Sequence, residues 1–176
     1  MKILSPILLG QIIAWMCLIL FSSQAISTSQ ALKPYKGNLH SPVFTLEDMQ
    51  GQTHSPVDYR GSIVLVQFWA TYCTPCRKEM PSMNRLIKKM EGQPFKILAV
   101  DMAEPRESVQ KFIDQVPVDF TVLLDTDGST LNAWKVFAAP ANFILNKQGE
   151  IIYTLYGAID WESEEIVQTL TTLTSQ

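Results

Sequence analysis

Apolar positions between residues 42 and 174 fall into short continuous runs and helical stripes that alternate along the chain. Residues 63–69, Ile-Val-Leu-Val-Gln-Phe-Trp, form an almost unbroken apolar run, as a strand does when both faces of its sheet are covered. Beyond it Met80, Met83, Leu86, Ile87 and Met90 recur at helical spacing, while Arg77, Lys78, Glu79, Arg85, Lys88 and Lys89 lie largely elsewhere, which predicts one amphipathic helix. Pro81 sits inside that pattern and is expected to bend the helix, because it removes an amide donor and crowds the preceding turn. The methionine stripe reads as core filling. Residues 95–100 predict a strand, 108–116 a short helix, 120–124 a strand and 129–137 another helix. Two further strands, 142–145 and 151–155, flank Asn146-Lys147-Gln148-Gly149, a hairpin signal. A closing helix is expected over 161–173, with Asp160 as its N-cap and Glu162, Glu164 and Glu165 in its first turns. Strand and helix alternate, so the middle of the chain should form right-handed crossovers between parallel strands.

Upstream of residue 63 the pattern weakens. Val43, Phe44 and Leu46 suggest a short strand, residues 49–52 a turn, and residues 57–61 a lead into the long apolar run. Residues 26–41 are rich in Ser, Gln and Thr without apolar periodicity and read as a flexible lead-in. Residues 1–25 read as an export signal or a membrane anchor. Lys2 supplies the charged start, residues 3–21 are mostly apolar, and Ser22-Ser23-Gln24-Ala25 offers a cleavage point. The 19 residues from 3 to 21 just reach the roughly 20 that cross a bilayer, so anchoring through this segment is the alternative to cleavage. Cys17 follows Trp15 and Met16 rather than a small residue, which argues against a lipid-modified cysteine.

Composition adds limits. The chain has 176 residues and a net charge of −3, and loss of residues 1–25 would take away Lys2 and no acid, leaving −4. Nothing in this balance suggests nucleic acid. The remaining length makes one domain, residues 42–176, with a core large enough to be stable without disulfides, so its two cysteines call for a chemical explanation.

Those two are Cys73 and Cys76, in Phe68-Trp69-Ala70-Thr71-Tyr72-Cys73-Thr74-Pro75-Cys76. A strand running toward Tyr72 and a helix starting near Cys73 place the first sulfur at a helix N-terminus, where partial positive charge stabilises a thiolate. The thiolate is the nucleophile, so Cys73 is expected to attack. Cys76, one turn deeper, would resolve the mixed disulfide, and the two-residue spacing lets a Cys73–Cys76 disulfide close with little movement. Pro75 suits a helix opening. A zinc site needs about four ligands, and the only histidines are the unpaired His40 and His54, so no metal is expected. Haem attachment needs a histidine where Arg77 stands. A purely structural bridge would staple only a four-residue segment. No cofactor is called for. Ala139-Pro140, between a helix and a strand, reads from composition as a turn proline in the ordinary trans form.

Taken together, three segments resemble the TlpA/ResA-like branch of the thioredoxin superfamily, exported or membrane-anchored thiol-disulfide oxidoreductases. They are Phe68 to Pro81 around the dithiol, Leu123-Leu124-Asp125-Thr126-Asp127-Gly128, and Ala139-Pro140-Ala141-Asn142-Phe143-Ile144-Leu145, within a likeness covering about residues 42–174. The resemblance implies an α/β thioredoxin-like three-layer sandwich, a mixed central sheet flanked by helices, with an N-terminal hairpin and a helix and strand inserted over residues 101–124. It also implies that Pro140 is cis and faces the disulfide, that Ala139 offers backbone groups to an extended substrate, and that Trp69, Tyr72, Thr74 and Pro75 line the substrate groove. Glu104 is similar in position to an acid that such proteins bury near the dithiol, where it would exchange a proton with Cys76. Gln67 stands where thioredoxin has an aspartate, so proton handling must come from Glu104, water or elsewhere. Ala139, Ala141 and Asn142 also depart from the common pattern beside the groove.

The resulting expectation is an exported dithiol protein that reduces disulfides of partner proteins, with apocytochrome c as the family's client and a membrane electron donor to recharge it. A disulfide oxidase or isomerase shares the same motif, because thioredoxin at about −270 mV and a strong oxidase at about −120 mV both have two residues between their cysteines. A copper-handling thiol protein is the option from another class, opposed by the lack of any histidine after position 54. A peroxidase is opposed by Ala70, three residues before Cys73, where resemblance to peroxiredoxins would imply a peroxide-binding threonine or serine.

Overall fold

The computed structural model describes residues 32–176, so the expected signal or anchor and the first part of the lead-in lie outside the described residues. Among the described residues no helix is long and apolar enough to cross a membrane.

The long apolar run forms β4 (Ile63–Trp69), buried at every position, in the middle of an eight-stranded sheet. Before it come β1 (Lys33–Pro34), β2 (Leu46–Asp48) and β3 (Thr53–His54). After it follow α1 (Thr74–Lys89), β5 (Phe95–Met102), α2 (Arg106–Ile113), β6 (Thr121–Asp125), α3 (Ser129–Ala133), β7 (Ala141–Leu145), β8 (Ile151–Tyr156) and α4 (Glu164–Ser175). The strand order is β1-β8-β7-β4-β5-β6-β2-β3. β4, β5 and β6 are parallel neighbours joined through α1 and α2, whereas β7 pairs antiparallel with β4 and with β8. The sheet is therefore mixed, and α2 with β6 is the inserted unit expected over residues 101–124.

The period of two along β4 sorts its side chains into two layers. Val64, Val66 and Phe68 pack with Val100, Leu123, Trp134 and Phe143 on one face. Ile63 and Leu65 pack with Met83 and Leu86 of α1 and with Ile166 and Leu170 of α4 on the other. At the end of that second face, Trp69 joins Cys76, Met80 and Phe112. α1 runs unbroken past Pro81, whose missing N–H withholds one donor from the helix ladder.

Three expectations change. Part of the predicted flexible lead-in is structured: Lys33 and Pro34 add a strand to β8, and the Ile151 amide donates to the Leu39 carbonyl at 2.7 Å. An edge strand offers unpaired backbone groups that need no side-chain pattern in their partner, so periodicity could not signal this pairing. The short strand expected at Val43 and Phe44 begins instead at Leu46, while Phe44 is buried beside Trp134. The N-cap position of the last helix is Ser163 rather than Asp160. Trp161 is drawn into the core and its amide donates to Ser82 Oγ at 3.1 Å, so the helix starts three residues later.

Candidate active site

The parallel strand β4 ends at Trp69, a turn closed by the Cys73 amide on the Ala70 carbonyl follows, and α1 begins at Thr74. Cys73 is the N-cap residue. Its Sγ accepts from the Cys76 amide at 3.3 Å, the place a serine or aspartate oxygen takes at other helix starts. Pro75 stands in the first turn, where a missing amide hydrogen costs little. Cys73 and Cys76 are joined by a disulfide, with Cα atoms 5.3 Å apart. Cys73 is 8% exposed and Cys76 fully buried, so of the two residues only the first reaches the surface.

Around that sulfur Tyr72, Thr74 and Pro75 are exposed, Tyr72 by 73%. The Ala139–Pro140 peptide is cis, in line with the family resemblance and not with the composition-based expectation. Ala139 packs against the cluster that holds Cys73 and Cys76, and Pro140 is buried behind it. Trp69 is not at the surface. It is fully buried with its ring 5.2 Å from that of Phe112, because the period of two along β4 turns it into the sheet face beneath α1 and α2. Its part is to support the turn, and it does not line a groove. Sequence reasoning also missed Phe137, exposed two residues before Ala139 and stacked on Tyr156 with ring centres 5.3 Å apart. A large apolar residue so close to the Ala-Pro pair was the available signal.

Glu79 is the principal correction. Expected on the polar side of α1, it is buried at 2% exposure, one turn beyond Cys76 on the same helix face. Gln67 Nε2 donates to its Oε1, and the Ile159 amide and the Trp161 indole donate to Oε2 at 3.2 and 3.1 Å. Burial pushes its carboxyl up to about 7, against the pull of these three hydrogen bonds, none of which comes from a cation. Such a group exchanges a proton at neutral pH. Gln67, noted only as the replacement of an aspartate, is a hydrogen-bond partner of this acid.

Glu104 does reach the dithiol end of the molecule, but at the turn before Cys73. Its Oε2 accepts from the Thr71 amide and its Oε1 from the Thr71 hydroxyl, both at 2.6 Å. Next to it lies Asp101, fully buried at the end of β5. Burial, then the hydrogen bond to Glu104, hold the Asp101 carboxyl above its ordinary range.

Comparison with known proteins agrees with this geometry. Residues 38–154 match the AhpC/TSA family. The chain is 38% identical over 125 residues to the thiol-disulfide oxidoreductase ResA of Geobacillus kaustophilus, covering 71% of this chain and 72% of that one. To ResA of Bacillus subtilis it is 35% identical over 119 residues, 68% and 66% of the two chains. Among solved structures, a Chlorobium tepidum protein assigned as a thiol:disulfide interchange protein DsbE superposes with a TM-score of 0.72 at 28% identity, over 82% of this chain and 99% of that one. StoA of Bacillus subtilis shares the fold with a TM-score of 0.64 at 24% identity, over 74% and 98%. The chain therefore belongs to the AhpC/TSA family, with a thioredoxin-like fold and ResA-like relatives, and is a thiol-disulfide oxidoreductase.

Proposed function

We propose that this protein is exported and reduces disulfides in partner proteins, with Cys73 as the attacking thiol and Cys76 as the resolving one. The observation that carries the assignment of roles is the division of the pair: Cys73 caps the helix at the surface, while Cys76 is buried one turn from Glu79. The Cys73 thiolate attacks one sulfur of the client disulfide and expels the other as a thiolate. Cys76 passes its proton to Glu79, attacks Cys73 Sγ, and releases the second client thiol. The client has gained two electrons and the protein is left as the Cys73–Cys76 disulfide.

An extended client segment is read as lying along Ala139 and Pro140, flanked by Tyr72, Thr74 and Pro75 and by the Phe137–Tyr156 pair. Strand-like pairing with backbone gives affinity without demanding one client sequence. Apocytochrome c is the proposed client and a membrane dithiol carrier the proposed electron donor. The ResA names of the relatives and the signal-like residues 1–25 support the extracytoplasmic setting.

The reduction potential of the Cys73–Cys76 pair tests the direction of electron flow. A value near or below about −250 mV is expected for a reductant, and one near about −120 mV would make the protein an oxidase. In separate activity and trapping assays Cys73→Ser should abolish insulin reduction, and Cys76→Ala should accumulate mixed disulfides with clients. Full activity in Cys73→Ser would remove Cys73 as the attacker.

A further inference from the structure

Among the described residues, the large apolar side chains exposed at the dithiol end are all aromatic: Tyr72, Phe137 and Tyr156. The exposed aliphatics Leu39, Val43 and Val57 lie toward the other end, near Ile151 and Gly149. Phe137 is 84% exposed, and one face of its ring lies on Tyr156, with 5.3 Å between centres and 19° between planes. Tyr156 in turn meets Phe143 at 6.4 Å and 77°, and Phe143 is buried with Phe68 and Trp134. The sheet register pairs Tyr156 with Ala141, and the Gly157 amide donates to the Pro140 carbonyl at 2.9 Å. Tyr156 is therefore fixed to the core on one side and to the Ala139–Pro140 step on the other. It supports Phe137 from beneath and leaves the outer face of that ring open, and an exposed apolar face beside a reactive centre marks a place of contact.

The backbone supplies a second, independent observation. Among the described residues, no N–H or C=O of Phe137, Ala138 or Ala139 takes part in a hydrogen bond, although Ala139 is half-buried. Three consecutive residues with free backbone groups can pair with an added strand. Side chains two apart on a strand share a face and lie about 6.6 Å from each other. Ala139 packs on the cluster that holds Cys73 and Cys76, so a client cysteine set against Ala139 has its neighbour two positions along at Phe137.

We propose that the Phe137–Tyr156 pair determines client specificity: the open face of Phe137 takes an aromatic or large aliphatic side chain two residues from the client cysteine. This deepens the reading of an extended client along Ala139 and Pro140, and rests on it. The contact is the same before and during exchange, so it strengthens binding and leaves the chemical step alone. Lys135, exposed two residues before Phe137, disfavours a cationic client residue at this place.

The test uses the reduced full chain and short peptides closed by one disulfide, with Phe, Leu, Lys or Ser two residues from a cysteine on either side. Stopped-flow rates over a range of peptide concentration give the second-order rate constant, the half-saturating concentration and the limiting rate. The wild type should prefer a Phe peptide to its Ser counterpart about tenfold, through half-saturation and not through the limiting rate, with Leu between them and Lys no better than Ser. In Phe137→Ala the ratio should fall to about one, and in Phe137→Tyr, which keeps the ring, it should return. Tyr156→Ala should lose the preference too, and Phe137→Ala/Tyr156→Ala no more than either alone, because the rings act as one unit; if Tyr156→Ala does not fold, the two Phe137 variants decide. A wild-type ratio near one, a tenfold ratio that survives in Phe137→Ala, or a preference for Lys would each overturn the proposal. So would a dimer of the wild type, or its binding to phosphatidylethanolamine/phosphatidylglycerol vesicles, that is lost in Phe137→Ala, since the pair would then serve a second copy or a lipid surface. N-methyl groups on the residues flanking the peptide cysteine separate this idea from the reading beneath it. If they slow exchange while the Phe preference is missing, only the aromatic platform is rejected; if they have no effect, strand pairing fails and the platform with it.

Discussion

Two buried carboxylates in this molecule meet opposite fates. Asp48, in the β2–β3 hairpin, is 7% exposed and Glu79, under the dithiol, 2%. Burial pushes both carboxyls up. At Asp48 the His54 ring at 2.9 Å and the Gln52 and Gln50 amides more than reverse this, and the group ends below the usual carboxylate range. At Glu79 the donors are an amide side chain, an indole and a backbone amide, and burial prevails. The decisive difference is the partner that can carry positive charge, present in the hairpin and missing beneath the dithiol. One acid anchors a turn as an anion at neutral pH. The other stands ready to change its proton.

The contrast is easiest to break at the active site. Glu79→Gln keeps the shape but cannot accept a proton, so resolution of the mixed disulfide at pH 7 should slow about a hundredfold, at the lower end of what a positioned base contributes. Stopped-flow measurement of mixed-disulfide decay reads this directly, and a wild-type decay would remove Glu79 from the proton path.

Stability against pH sharpens the same comparison. The folded protein holds the Glu79 proton more tightly than the unfolded chain, so this group adds stability that is fully present below its unfolded value of 4.5 and is lost as pH rises to about 7. That rise corresponds to about 3 kcal/mol. Urea unfolding at pH 5 and pH 8 should therefore show a drop in the wild type that is smaller by about this amount in Glu79→Gln. An equal drop in both proteins would mean that Glu79 is ionised in the fold throughout. Asp48 runs the other way: its contribution is present above an unfolded value of 3.8 and is lost as pH falls through its lower folded value.

The smallest effect is expected in the hairpin. His54 also meets the Tyr59 hydroxyl at 2.6 Å, so His54→Phe takes the ring partner from the buried Asp48 Oδ2 and from the half-buried Tyr59 hydroxyl and should cost about 1–3 kcal/mol of stability at pH 7. The rate of disulfide exchange should stay at the wild-type value, and a fall in that rate would link two regions that the comparison keeps apart.

Much of this arrangement was legible along the chain. The run at residues 63–69, the methionine stripe and the hairpin at Asn146 to Gly149 appear in the fold close to where the pattern placed them, because long buried strands and one-sided helices are set by local spacing. Glu79 was misplaced because one turn of helix contains both faces and a charged residue is assigned to solvent by default. The signal that could have placed it is the polar residue inside each of two adjacent buried strands, Gln67 in β4 and Asn142 in β7, which lie opposite each other in register. Glu104 was brought to the right end of the molecule by resemblance, yet its partner Thr71 is 33 residues away, a distance no local pattern spans.

The amino-acid sequence by itself determined the dithiol, its place at a strand-to-helix junction and the alternating order of strands and helices, since these follow from neighbouring residues and their periodicity, while the thioredoxin-like arrangement was implied by resemblance. Tertiary structure alone decided which acids surround the dithiol and in what state. Burial and partners reached across the sheet govern where a proton rests, and residues distant in the chain supply both.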